Sequence, residues 1–281
     1  MIKFTDIKKS YGKTIAVDGI SFEIKPHEVF GLLGPNGAGK TTTVNMTVGL
    51  LNPDSGTVEL SGYGSPKNPK VRAKIGVAPQ SLSLYDELTA RENLDFFGKV
   101  YGLSGEKLHE RVAWSLNFVG LIERRDDRVK KFSGGMKRRL NLAMALVHDP
   151  EYLILDEPTV GVDPQSRNAI FEYIEQLKKD GCTIIYTTHY MEEAQRLCDR
   201  VGIMDHGKLL AIGTVDALIR QYGGNSTLIA EKVDGEEIIE TQNPMKEILN
   251  LQKETDLRGF RVLNPSLETV SLSLTGRTLR D

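Results

Sequence analysis

Along residues 1–33 apolar and polar positions alternate in short runs, IKFTDI, ISFEI and VFGLL, with turn residues at Tyr11-Gly12 and Pro26. A period of two predicts strands. Between about 88 and 148 the spacing lengthens to that of helices: Thr89 and Glu92 form a capping box ahead of Leu94, Phe97 and Tyr101, and Leu108, Val112, Leu116 and Val119 share one face. The apolar run YLIL at 152–155 predicts a strand buried on both sides. A helix follows from Asp163-Pro164, facing inward through Ile170, Ile174 and Leu177 and stopped by Gly181, and then another strand, CTIIYTT. Strands VGIMD and KLLAI flank His206-Gly207. This βαβ alternation predicts an α/β fold with a parallel sheet covered on both faces and a helical block inserted mid-chain.

After the amphipathic stretch TVDALIRQY, GGNS at 223–226 reads as a linker. It divides the chain into a domain of residues 1–223, with its helical subdomain at about 81–150, and a tail of residues 224–281. The tail predicts a small α+β unit: a hairpin over 227–240 turning at Asp234-Gly235, a helix over 244–255, and a last helix facing inward through Leu267, Val270 and Leu274. So short a segment is expected to dock on the main domain or on a second copy, in a regulatory or dimerising role.

Composition narrows the class. With 281 residues, 40% of them apolar, the chain can bury a full core. Its 36 basic and 38 acidic residues leave a net charge of −2, which gives no basic field to gather nucleic acid, so no nucleic-acid partner is expected. The two cysteines, Cys182 in an apolar strand-like run and Cys198 in a helix-like run, suit a reducing compartment as buried thiols. Neither a signal peptide nor a membrane span of about 18 apolar residues is evident, so a cytoplasmic chain is expected.

The chemistry begins at GPNGAGKT, residues 34–41, between the strand VFGLL and the helical run TTTVNMTVGL. That context is what a phosphate-binding GxxxxGK(S/T) loop requires. Glycines let the loop formed by Gly34, Pro35, Asn36, Gly37, Ala38 and Gly39 curl, so that the N–H groups from Gly37 to Thr42 face phosphate oxygens at a helix N-terminus. Lys40 then reaches the β and γ phosphates and the Thr41 hydroxyl ligates Mg²⁺. A second element is YLILDE, 152–157: a buried strand presenting Asp156 toward Mg²⁺ and Glu157 toward the attacking water as general base. No NKxD guanine-reading motif occurs, which argues against a GTPase. A third is FSGGM at 132–136, where Ser133 fits an N-cap and Gly134 and Gly135 leave the first N–H groups of a helix uncovered, a second anion cradle.

Together these motifs make the chain resemble the ATP-binding cassette (ABC) family, whose signature LSGGQ reads FSGGM here, with Met136 in place of the commoner Gln. The resemblance covers roughly residues 1–220. It implies a P-loop NTPase fold of ABC type: a RecA-like parallel-sheet core, an antiparallel β subdomain and an inserted helical subdomain. ATP and Mg²⁺ are the implied cofactors. In that family two domains meet head to tail and each signature closes over the other's phosphate loop, so pairing with a second ATPase chain, a homodimer in the simplest case, is implied.

By position, Tyr11 matches the aromatic residue that packs on adenine, although a Tyr beside Gly is a turn residue in its own right. Gln80 matches the glutamine that approaches Mg²⁺ and the attacking water, His189 the histidine that contacts the γ-phosphate, and Asp163 the loop crossing the dimer interface, with helix N-capping an equally good local reading. Residues 81–90, with Tyr85, Asp86 and Glu87, are the candidate docking surface for a membrane permease. EPTVGVDPQSR at 157–167 and the ending PSLETVSLSLTGRTLRD resemble ABC-2 type exporter ATPases, implying a peripheral position on the inner face of the cell membrane. A soluble remodelling ATPase and an ATP-binding module without turnover are the competing readings; cell fractionation separates the first of these from a permease-bound subunit.

Overall fold

In the computed structural model of the chain, residues 1–254 and 257–276 are described, and they group into two compact units, Met1–Ile212 and Gly213–Asp281. The first unit runs β1 (Ile2–Tyr11), β2 (Thr14–Ile24), β3 (Val29–Leu33), α1 (Lys40–Thr47), β4 (Ser55–Leu60), α2 (Pro69–Arg72), β5 (Ile75–Ala78), α3 (Ala90–Val100), α4 (Gly105–Phe118), α5 (Gly134–Leu146), β6 (Tyr152–Asp156), α6 (Pro164–Lys179), β7 (Thr183–Thr188), α7 (Met191–Leu197), β8 (Arg200–Asp205) and β9 (Lys208–Thr214). The second takes in the last two residues of β9, Gly213 and Thr214, and holds α8 (Val215–Tyr222), β10 (Ser226–Lys232), β11 (Gly235–Thr241), α9 (Pro244–Glu254), β12 (Leu257–Leu263) and α10 (Leu267–Thr275).

The core sheet has the order β5-β6-β7-β3-β8-β9, and β5 to β6, β6 to β7, β7 to β3 and β3 to β8 all pair parallel. Strands β3, β6 and β7 are buried at every position, as their unbroken apolar runs require of strands covered on both faces. The alternating opening folds into a separate antiparallel sheet, β2-β1-β4, docked through Phe4, Phe22 and Phe30, whose rings stack at 4.2 and 5.5 Å. The helical block is α3, α4 and α5, and the expected capping box is present, with the Thr89 hydroxyl accepting from the Glu92 N–H and Glu92 accepting from the Thr89 N–H.

The boundary between the units falls at Ile212/Gly213, before α8 and not at the GGNS run after it. The reason is packing: α8 lies against α10, burying Val215 and Leu218 on one side and Leu267 and Val270 on the other. The hairpin β10–β11 turns at Asp234-Gly235 as expected, but β12 adds a third strand that the pattern of LRGFRVL did not announce. Residue 255 of the expected helix and residues 277–281 of the ending lie outside the described residues. Among the described residues no helix is long and apolar enough to cross a membrane. Both cysteines are free, and burial pushes the Cys182 thiol up to about 12 and raises that of Cys198.

Candidate nucleotide-binding and catalytic site

Parallel pairing puts all carboxyl ends of β5, β6, β7 and β3 on one edge of the sheet, and each bears a candidate residue. Gln80 follows β5, Asp156 and Glu157 end and follow β6, His189 follows β7, and the glycine loop to Lys40 follows β3. Four neighbouring strands thus converge their side chains without any long excursion of the chain.

The loop is shaped for an anion. Gly39 sits at φ +105, where a Cβ would lie 2.4 Å from the Ala16 carbonyl oxygen. Gly37, at φ +80, has nothing within 4 Å of the place a Cβ would occupy, which leaves its backbone open to a phosphate. No side chain caps the N-terminus of α1, so its first N–H groups face the loop interior. Lys40 is buried and donates to the carbonyl oxygens of Gly34 at 2.7 Å and Pro35 at 3.1 Å. Its Nζ stands 3.7 Å from Glu157 Oε1. Burial holds the Lys40 ammonium below its ordinary range, opposed by the charges of Glu157 and Asp156.

Thr187 organises the acidic pair. Its hydroxyl donates to Asp156 Oδ1 at 2.5 Å and accepts the N–H of Glu157 at 3.0 Å. Burial raises the Asp156 carboxyl above the usual carboxylate range, against the Thr187 bond and a further hydrogen bond from Thr41. A buried acid beside a threonine hydroxyl at the mouth of a phosphate loop fits a hard divalent cation bound through oxygens. Glu157 takes the left-handed conformation, φ +48, and its carboxylate is met by Gln80 Nε2 at 3.1 Å and His189 Nδ1 at 3.3 Å.

Lys40, Gln80, Asp156, Glu157 and His189 are therefore one cluster. Tyr11, Ser133, Gly134, Gly135 and Asp163 make no hydrogen bond or ion pair with it among the described residues. Tyr11 is 50% exposed at the end of β1, with Lys9 Nζ 6.0 Å from its ring centre. Ser133 caps α5, accepting from the Met136 N–H at 3.2 Å, and Asp163 caps α6, accepting from the Ser166 N–H at 2.9 Å.

The two adjacent glycines differ. A Cβ on Gly134 would meet nothing within 4 Å, whereas one on Gly135 would lie 2.1 Å from Ser166 Oγ. The uncovered helix tip read from the sequence is thus the work of Gly134; Gly135 is buried and lets α5 approach the start of α6. Asp86 and Glu87, expected to be a docking surface, are held by Lys137 and Lys130, each at 2.8 Å. An open groove of about 810 Å³ is lined by residues of the helical block, Phe97, Val100, Tyr101 and Met144 among them, and by Leu50, Ile75 and Val77 on its other side.

Sequence reading passed over Thr187 and Arg138. The Arg138 guanidinium, lowered from its ordinary value by burial, donates to the carbonyl oxygens of Gln80 at 2.8 Å, Val160 at 3.2 Å and Pro79 at 3.4 Å. It ties the signature helix to the Gln80 segment and to the loop beyond Glu157. Only its place one turn inside α5 hinted at this.

A family model described as ABC transporter matches residues 17–160. The linearmycin resistance ATP-binding protein LnrL of Bacillus subtilis is 46% identical over the whole of both chains. A Nod factor export ATP-binding protein I of Paraburkholderia xenovorans is 43% identical over all of this chain and 98% of its own. Among solved structures, an ATP-binding subunit of an ABC transporter aligns with a TM-score of 0.72 and 32% identity, over 79% of this chain and 93% of that one. The dimeric post-hydrolysis cassette MJ0796 with ADP and Pi aligns at 0.69 and 27%, over 76% and 98%. With a phosphate loop, a buried acidic pair and a histidine converging on one sheet edge, the chain belongs to the ABC transporter family and is an ATP-binding, ATP-hydrolysing subunit of it.

Proposed function

We propose that two copies of this chain close head to tail around ATP and drive export through a separate membrane permease, on whose cytoplasmic side they sit. The observation that carries the pairing is the division of the site: Lys40, Gln80, Glu157 and His189 cluster at the strand ends, while the open tip of α5 at Ser133 and Gly134 belongs to a different part of the same chain. A second copy would bring that tip to the triphosphate, with Asp163 at the junction and Tyr11 against adenine.

In this reading Lys40 and the N–H groups from Gly37 to Thr42 hold the β and γ phosphates. Thr41, Asp156 and Gln80 would hold Mg²⁺, which when bound neutralises charge on the phosphate oxygens. Glu157 accepts the proton of the attacking water, and His189 and Gln80 fix its carboxylate in place. Hydrolysis leaves two anions where there was one, so ATP favours closure and its products favour opening.

The groove beside the helical block is the docking surface we assign to the permease, its exposed Leu50 and Val100 matching an apolar helix or loop. The names of the relatives, resistance and export, support outward transport. The test is Glu157→Gln: ATP binding is retained, turnover stops and a closed dimer accumulates on gel filtration. Unchanged hydrolysis removes Glu157 as base, and full-rate hydrolysis by a strictly monomeric sample removes the pairing.

A further inference from the structure

Glu193 lies in α7, 3% exposed, and takes no part in the chemistry above. Thr159 Oγ1 lies 2.8 Å from its Oε1 and 2.9 Å from its Oε2; the Tyr186 hydroxyl donates to Oε2 at 2.7 Å and that of Thr188 at 3.2 Å. Arg167 Nε stands 3.7 Å from Oε1. A carboxylate so deeply buried is tolerated only when its lone pairs are met, so these groups hold one another.

What they hold is the reacting geometry. Thr159 is two residues beyond Glu157, and Thr188 directly precedes His189. The Thr188 hydroxyl also accepts the Tyr190 N–H at 2.9 Å, so the chain is pinned on both sides of His189. Arg167 comes from α6, the helix that Asp163 caps, and lies 5.5 Å from the Tyr190 ring centre, while that ring packs on His189 at 4.1 Å. We infer that Glu193 is a positioning residue, locking the segment after Glu157 to the segment bearing His189 so that both side chains meet the γ-phosphate and its attacking water in register. The inference rests on the roles proposed above for Glu157 and His189.

Glu193→Gln keeps the shape but replaces one accepting oxygen by an amino group that cannot accept from the hydroxyls. In full-length protein, kcat for ATP is expected to fall about 10- to 100-fold, the size of effect that a displacement of about 1 Å produces. KM is expected to stay within about twofold, because Lys40 and the glycine loop are untouched. Glu193→Asp should recover part of the loss, and Thr188→Val should lower kcat in the same sense. In a His189→Ala background the effect of Glu193→Gln should be smaller than in wild type, since the part that acts through His189 is already lost.

The inference is overturned by wild-type kcat in both Glu193→Gln and Thr188→Val, by KM rising in step with the fall in kcat, or by full additivity with His189→Ala. If Glu193→Gln does not fold, Thr188→Val decides alone. Glu157→Gln run in parallel separates the two levels. With that variant inactive and both Glu193→Gln and Thr188→Val fully active, only the positioning role fails; with Glu157→Gln active, the reading of the site itself fails.

Discussion

Alanine at 134 and alanine at 135 should do opposite things, although the residues are neighbours on one helix. At 134 the added Cβ meets nothing within 4 Å and the backbone is not left-handed. Glycine to alanine at a compatible helical position stabilises by about 0.4–1 kcal/mol. At 135 the Cβ would lie 2.1 Å from Ser166 Oγ and 2.7 Å from Ser166 Cβ. A rotamer change moves the hydroxyl but not the Cβ, so the start of α6 must shift, at an overpacking cost of about 1–3 kcal/mol. The gap between the variants is then about 1.4–4 kcal/mol, which for a unit of this size separates their melting temperatures by about 3–16 °C. Calorimetry of the full chain reads it. Activity should run the other way for Gly134→Ala: a methyl group on the open tip displaces a phosphate from N–H groups whose charge-assisted bonds are each worth about 1.5–3 kcal/mol, so turnover drops about 10- to 100-fold in a protein at least as stable as wild type. Adding Ser166→Gly to Gly135→Ala should return part of its stability. Equal melting of the two variants would refute the packing argument, and wild-type turnover in Gly134→Ala would refute the phosphate role of the tip.

Three further outcomes are expected. Lys40→Ala should weaken ATP binding about 10- to 100-fold, the loss of a charge-assisted contact, and equal affinity by titration would remove that contact. Val100→Glu puts a charge on a 65% exposed wall of the groove and should release the chain from membranes carrying its permease without changing ATP affinity; unchanged co-sedimentation would move the docking surface elsewhere. His148 stacks on Tyr101 at 3.6 Å, and burial lowers its pKa from 6.5 to about 4. As pH falls from about 6.5 to about 4 the unfolded chain takes up a proton that the folded chain refuses, so stability is lost across that window, at most about 3 kcal/mol and less after screening by residual solvent. His148→Phe should flatten that part of a stability-against-pH curve; an unchanged curve would show that the imidazole is not held neutral.

What the sequence disclosed was what is local. The phosphate loop is a strand, a glycine turn and a helix in one run, and YLILDE needs only its own apolar length to place an acid pair at a strand end. Strands β4 and β12 escaped notice because they are short and mostly exposed, and their partners, β1 and β10, are distant in sequence. TVDALIRQY showed an apolar face, but periodicity cannot say which neighbour covers it, and α10 covers it. The acids at 192 and 193 look alike in the sequence; the rotation of about 100° between adjacent helical residues leaves Glu192 exposed and sinks Glu193 among hydroxyls brought from β7 and from the loop after Glu157. The two glycines were legible as a pair and not as individuals, because the distinguishing neighbour, Ser166, is 31 residues beyond Gly135 along the chain.

The geometry of Glu157 bears on binding as well as on turnover. Its left-handed backbone, φ +48, is of a kind that costs about 1–3 kcal/mol and persists only where surroundings enforce it. Here the Thr187 carbonyl and hydroxyl both receive its N–H, at 3.2 and 3.0 Å, and the turn so fixed aims the carboxylate at Lys40, 3.7 Å away. Both side chains are buried, so their attraction amounts to several kcal/mol even at an effective dielectric constant of about 20. An incoming triphosphate competes with Glu157 for the ammonium and is itself repelled by the carboxylate. Glu157→Gln removes the competitor and the repulsion while keeping a side chain of the same length, so it should bind ATP more tightly than wild type, on the order of tenfold, the equivalent of about 1.4 kcal/mol. Equilibrium titration at a temperature where wild-type turnover is negligible measures this directly. Affinity equal to or below wild type would mean that Lys40 is not drawn toward Glu157 before the nucleotide arrives.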